Sequence, residues 1–237
     1  MIQAIVLAAG ISTRMRPLTN NVPKPMLELA GKPILHYVIE NLRNAGIEHI
    51  IITTHYLPLV IRDYFGNGSQ LNVKITYSYE ENLLDTAGSL KKLESLLEDN
   101  FLVCGGHFIL PTIDFNSLIE FHHSMSGIGT IVFKRLDELE NLKFFGQGIF
   151  DDEERLIYFV EKPKEAISRN IHTTYQIFNK RVLKYIPKNR PVSIPDFLIP
   201  RLLSDGESLY GHFTDSELIN VSTIELYKRA QEKIERM

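Results

Sequence analysis

An α/β fold on a mostly parallel sheet is the class this sequence predicts, and three observations predict it. Residues 2–7 and 47–53 are short apolar runs without polar alternation, the pattern of strands buried on both faces. Segments with apolar residues at helical spacing separate such runs. The 237-residue chain is 44% hydrophobic and 23% charged, enough for a sizeable core at a length one α/β domain can reach.

Taken in order, residues 2–7 form the first strand. Residues 33–42 carry an apolar stripe at Leu35, Val38, Ile39 and Leu42, with Pro33 suited to the first helical turn and Gly46 to the stop. Residues 47–53 read as a strand, 57–65 as a helix ended by Gly66, and 73–79 as a strand. Residues 86–97 read as a helix capped by Thr86, 101–104 as a strand and 115–123 as a helix. This alternation predicts right-handed crossovers between parallel strands. The second half differs: strands are expected at 127–134, 145–150, 156–160 and 175–178, with 151–154 an acidic hairpin turn. Helices are expected at 194–203 and 224–234, the last a solvated closing helix. Neither repeats nor linkers interrupt the chain, so one domain is expected over 1–237, its halves at about 1–125 and 126–237.

The net charge of -3 argues against a nucleic-acid partner, so any phosphate site must be a local concentration of cations. A single cysteine, Cys104, excludes an internal disulfide and a cysteine-based zinc cluster, and fits a reducing compartment. The start lacks a basic leader and no apolar run nears the ~18 residues that span a bilayer; a cytoplasmic protein without a membrane partner is expected.

The stretch that organises the chain is Leu7, Ala8, Ala9, Gly10, Ile11, Ser12, Thr13 and Arg14, running through Pro17-Leu18-Thr19 to Pro23-Lys24-Pro25-Met26. Gly10 lets backbone approach a ligand, and successive N–H groups can form an anion-binding concavity. Arg14, Arg16 and Lys24 add positive charge suited to a triphosphate. The loop has neither the Gly-Lys-Ser/Thr of a Walker loop nor the G-x-G-x-x-G of a dinucleotide site.

With Gly31-Lys32-Pro33 added, the stretch resembles the signature of the sugar-1-phosphate nucleotidylyltransferases, L-A-A-G-x-G-T-R-x-x-P-L-T, then P-K-P-M, then G-K-P; Ser12 stands at the second glycine. The resemblance implies a three-layer α/β/α sandwich, nucleotide-diphospho-sugar transferase-like. It also implies attack of a sugar 1-phosphate on the α-phosphorus of a nucleoside triphosphate, with loss of pyrophosphate. By resemblance, Arg14 and Lys24 are the catalytic cations on the triphosphate, and Leu7, Ala8, Ala9, Gly10, Ser12 and Thr13 cradle the nucleotide. Residues 80–90 are similar to the family's E-x-x-x-L-G-T-A-G-x-L, which places Glu80, Thr86, Ala87 and Gly88 at the base and ribose, with Asp85 where a glycine is usual. Phe145-Gly146 and Glu161-Lys162-Pro163 resemble the sugar-phosphate half: beside Gly146, Glu161 would take sugar hydroxyls and Lys162 the phosphate.

The departures fall where the resemblance implies a metal. His107 and Asn220 occupy the positions of two magnesium-binding aspartates, and His172-Thr173-Thr174-Tyr175-Gln176 stands where N-A-G-I-Y is usual. The implied cofactor is magnesium, or manganese, delivered with the nucleotide to a degenerate site. The resemblance is strongest to mannose-1-phosphate guanylyltransferases, then to glucose-1-phosphate thymidylyltransferases. Alternatives are a catalytically silent nucleotide-binding paralogue and a phosphocholine cytidylyltransferase. The implied partners are a nucleoside triphosphate and a sugar 1-phosphate, with a homo-oligomer or a pairing with an active paralogue.

Overall fold

The computed structural model describes residues 2–136 and 139–235. In chain order the elements are β1 (Gln3–Leu7), β2 (Glu28–Leu29), β3 (Lys32–Pro33), α1 (Ile34–Asn44), β4 (His49–Thr54), α2 (Pro58–Phe65), β5 (Lys74–Tyr79), α3 (Asp85–Lys92), β6 (Asn100–Gly105), β7 (Phe108–Ile109), α4 (Phe115–Ser124), β8 (Gly129–Arg135), β9 (Gln147–Phe150), β10 (Leu156–Val160), β11 (Asn170–Asn179), α5 (Ile199–Ser204), β12 (Leu209–Phe213), β13 (Ile219–Asn220) and α6 (Ile224–Ile234). They form two compact units interleaved in sequence: Met1–Leu83, Cys104–Thr112 and Glu217–Met237 make the first, Leu84–Val103 and Ile113–Ser216 the second.

The first unit holds the parallel ladders β1–β4 and β4–β5, in register Ile5 to Ile51 and Ile51 to Thr76. Ala4, Ile5, Val6, Ile50, Ile51 and Ile52 are all buried, which is why these strands show no polar alternation. Helix α1 buries Ile34, Leu35, Val38, Ile39 and Leu42, the expected stripe, each worth about 1.5–3 kcal/mol of burial. Its Asn41 Nδ2 donates to Leu110 O at 3.1 Å, tying it to the segment that follows β7.

The second unit is mostly antiparallel. Strand β11 pairs antiparallel with β6, β8 and β9, and β9 with β10; β12 runs parallel to β8. The α/β class with helices flanking a sheet stands, but the sheet is mixed, because β11 runs antiparallel to β6, β8 and β9, and β9 and β10 form a hairpin. The turn at 151–154 is the expected hairpin: Asp151 Oδ1 accepts from Glu153 N and Arg155 N. Strand β12 escaped the sequence reading because Gly211 and His212 dilute its apolar signal. Helix α3 ends at Lys92 rather than near 97, since the next bonds, Leu93 N to Leu90 O and Leu96 N to Leu93 O, are the tighter three-residue kind.

Three departures from the resemblance share one backbone property. Ser12, Asp85 and Thr174 each stand where a glycine is usual, and their φ values are 57°, 58° and 70°. Each adopts a left-handed backbone without being the residue that does so freely, at a cost of roughly 1–2 kcal/mol. Thr174 is the most strained, being β-branched, and it lies where the β11–β8 register shifts between His172 and Gln176. Ser12→Gly is therefore expected to stabilise the chain by about 0.5–1 kcal/mol, the relieved strain exceeding the added freedom of the unfolded chain. A rise of roughly 1–4 °C in melting temperature checks it; a fall contradicts it.

Candidate active site

The predicted site residues fall into two groups, one in each unit. The first unit contains Leu7 to Arg14, Lys24, Glu80, His107 and Asn220; the second contains Thr86, Ala87, Gly88, Gly146, Glu161 and Lys162.

In the first unit, β1 ends at Leu7 and the chain turns out as an exposed loop whose anchors are buried. Ala8 N donates to Thr53 Oγ1 at 3.2 Å. Gly106 N donates to Leu7 O at 3.0 Å, and a Cβ on Gly106 would lie 3.3 Å from that oxygen, so a side chain there is crowded. Thr19, fully buried, donates from Oγ1 to Ser12 O at 3.0 Å, and Tyr56 OH donates to Thr19 O and Asn20 O. Thr53 and Tyr56 were not singled out from sequence; no local pattern marks them, because they reach the loop from the neighbouring strand's end. Gly10 and Thr13 are exposed, and a Cβ built on Gly10 meets nothing closer than Ser12 Oγ at 4.0 Å, so the loop is open there.

The charges that act on Lys24 and His107 are of one sign. Lys24 sits between two prolines in a short turn (Lys24–Met26) and is 9% exposed, yet its ammonium has no ion-pair partner among the described residues. Burial, and then the Arg14 guanidinium, push its pKa down from 10.5 to about 7. Burial, then Lys24, then Arg14, also hold the His107 imidazole well below its ordinary value, so it is neutral. Arg14, Lys24 and His107 are thus brought within electrostatic reach. Asn220 pairs with Phe108, the residue after His107, across the β7–β13 ladder, and its Oδ1 accepts from Ser222 Oγ at 2.5 Å. Glu80 is buried; its backbone N donates to Thr54 O, and its carbonyl bonds the His55 ring at 2.8 Å.

Magnesium requires hard, charged oxygens. A neutral imidazole and a neutral amide do not supply them, and two cations beside the imidazole repel a third. Among the described residues no three His, Cys, Asp or Glu side chains gather into a cation site. His107 and Asn220 do not fit a protein-held magnesium ion.

In the second unit, the expected cap does not form. Thr86 Oγ1 instead accepts from Ile194 N at 2.7 Å, and Ala87 N and Gly88 N both donate to Val192 O, at 2.8 and 3.1 Å. The amides of Ala87 and Gly88, expected to read a base edge, are thus engaged by the chain itself. Gly88 fits because a Cβ would lie 2.9 Å from Arg190 O.

Gly146 lies against Glu161: a Cβ there would meet Phe159 Cζ at 2.5 Å and Glu161 Oε2 at 2.6 Å. Glu161 pairs with Lys162 Nζ at 2.5 Å. Burial lifts the Glu161 carboxyl above its usual value; the Lys162 pairing works against this and Asp196 with it. His172 is buried, bonded to Gln176 Oε1 at 2.9 Å, and burial lowers its pKa to about 4, so this imidazole is neutral too. Gly146→Ala is expected to cost about 1–3 kcal/mol by overpacking and to push Glu161 from its place. Denaturant unfolding checks it; unchanged stability would show that the contact yields freely.

No helix among the described residues is long and apolar enough to cross a membrane. The Nucleotidyl transferase family model matches residues 3–235. The chain is 33% identical, over 99% of its length, to the mannose-1-phosphate guanylyltransferase of Mycobacterium tuberculosis. It is 31% identical, over 96% of its length, to the UTP–glucose-1-phosphate uridylyltransferase of Synechocystis. It spans 65% and 62% of those two relatives' own lengths. Over its whole length the fold matches 96% of a solved Bacillus anthracis protein crystallised with sucrose, at TM-score 0.89 and 21% identity. A family match over almost every residue, on a chain that keeps the glycine loop after β1 and the buried lysine beside Arg14, leaves one assignment: this chain belongs to the nucleotidyl transferase family.

Proposed function

We propose that the chain joins a nucleoside triphosphate to a sugar 1-phosphate, releasing pyrophosphate, with GTP and mannose 1-phosphate as the favoured pair. The observation that carries the reading is the cationic pair Arg14 and Lys24, without an acid partner among the described residues, beside an open glycine loop. An attacking phosphate oxygen is already ionised, so no protein base is needed. The obstacle is repulsion between polyanions, about 4 kcal/mol for each pair of unit charges ~4 Å apart at an effective dielectric of about 20. Arg14 and Lys24 offset it on the triphosphate, and Lys162, once released from Glu161, offsets it on the sugar phosphate. Glu161 is then free to accept sugar hydroxyls. Magnesium bound to the nucleotide would supply further charge neutralisation, with no residue of this chain assigned to hold it.

The 33% identity to a mannose-1-phosphate guanylyltransferase supports the choice of pair. A second reading, a silent nucleotide-binding paralogue, is favoured by the neutral His107 and Asn220. A pyrophosphate-release screen of four triphosphates against sugar 1-phosphates and phosphocholine, in magnesium and in manganese, separates them. Fastest release is expected with GTP and mannose 1-phosphate; no release with any pair, despite nucleotide binding, selects the silent reading.

A further inference from the structure

We infer that the first unit binds a polyphosphate tail without a divalent cation held by the protein, the charges of Arg14 and Lys24 replacing a metal bridge. The inference rests on the reading of this loop as a phosphate site and adds what neutralises the phosphates there.

Three observations carry it. Lys24 is 9% exposed and has no acid partner among the described residues, so its burial is uncompensated in the free chain. An ammonium left in that position attracts an anion that restores its lost solvation. The charge that acts on Lys24 is Arg14, of the same sign, so the ligand that relieves both carries more than one negative charge. Finally, the side chain in reach of both cations is uncharged. Gly106 N donates to Leu7 O at 3.0 Å and so ties the neighbouring His107 to the loop, where burial and the two cations hold its imidazole neutral. Asn220, the other position of the pair, carries an amide bonded to Ser222. With carboxylates at these two places a bridging cation would be required to hold phosphate there. With an imidazole and an amide, phosphate oxygens meet hydrogen-bond donors and no repelling oxygen. This chain carries uncharged side chains at these two places and cations at Arg14 and Lys24.

The experiment is a calorimetric titration of the whole chain with inorganic pyrophosphate, in EDTA and in excess magnesium. Binding in EDTA at least as tight as in magnesium is expected, because magnesium reduces the charge of the free ligand. Binding more than about tenfold weaker in EDTA overturns the inference and leaves the proposed reaction standing. No binding in either condition overturns both. His107→Asp, verified as folded by its melting transition, is expected to lose about tenfold or more of the affinity in EDTA and to regain it with magnesium. A folded His107→Asp variant that binds in EDTA like the parent also overturns the inference.

Discussion

Lys24→Met is expected to make the free chain more stable while weakening its affinity for a nucleoside triphosphate by about a hundredfold. Both effects come from one uncompensated charge. In the folded chain Lys24 holds its proton only below about 7, against 10.5 ordinarily, because burial and then Arg14 disfavour the cation. Between those values unfolding takes up a proton, so the stability of the parent rises with pH across that window and levels off above it. Methionine keeps the volume and removes the charge; a gain of roughly 1–3 kcal/mol is expected at neutral pH or below, shrinking toward alkaline pH. The affinity runs the other way. In the proposed site triphosphate binding needs the charged lysine, so the parent's affinity is expected to fall as pH rises above about 7, where binding must draw a proton from solvent. Losing a buried charge pair of this kind costs about 2–5 kcal/mol of binding, hence the hundredfold. Melting temperature and calorimetric affinity across that pH range check both arms. A methionine variant that melts lower and binds as before would show that Lys24 has a structural role.

His107→Asp combined with Asn220→Asp is expected to raise magnesium-dependent pyrophosphate release by about tenfold or more. The family resemblance sets these two positions at one ion, and the ladder brings Asn220 to Phe108, the residue after His107, so carboxylates at both would supply a hard-oxygen pair. The carboxylate replacing the His107 imidazole would also sit within electrostatic reach of Lys24 and Arg14 and compensate their charge in the free chain. Release assays at several magnesium concentrations check it. A double variant no faster than the parent would mean that losing the carboxylates is not what limits turnover.

The parallel ladder of the first unit was legible because strands buried on both faces leave uninterrupted apolar runs, as at Ile50, Ile51 and Ile52. Helix α1 was legible for the complementary reason, a stripe at helical period preceded by Pro33 and stopped at Gly46. Strand β12 was not, since its glycine and histidine break the apolar run and its parallel pairing with β8 defines it. The site divides likewise. The loop from Leu7 to Arg14 announces itself by residue type, whereas the burial of Lys24 without an acid partner among the described residues depends on contacts far apart in sequence. The engagement of Ala87 and Gly88 by Val192 was equally invisible, because a partner so distant along the chain leaves no local pattern. Conversely, the sequence shows residues 12, 85 and 174 as departures from the family's glycines, and only the structure shows that all three have positive φ.

The most direct test of the account is the affinity of the parent chain and of Arg14→Ala for GTP, measured by calorimetry near neutral pH. Arg14 is exposed, so its removal is expected to leave the fold intact and isolate the proposed phosphate contact. The account predicts clear binding by the parent and a loss of about tenfold or more in the variant. Equal affinities for the two proteins would contradict it.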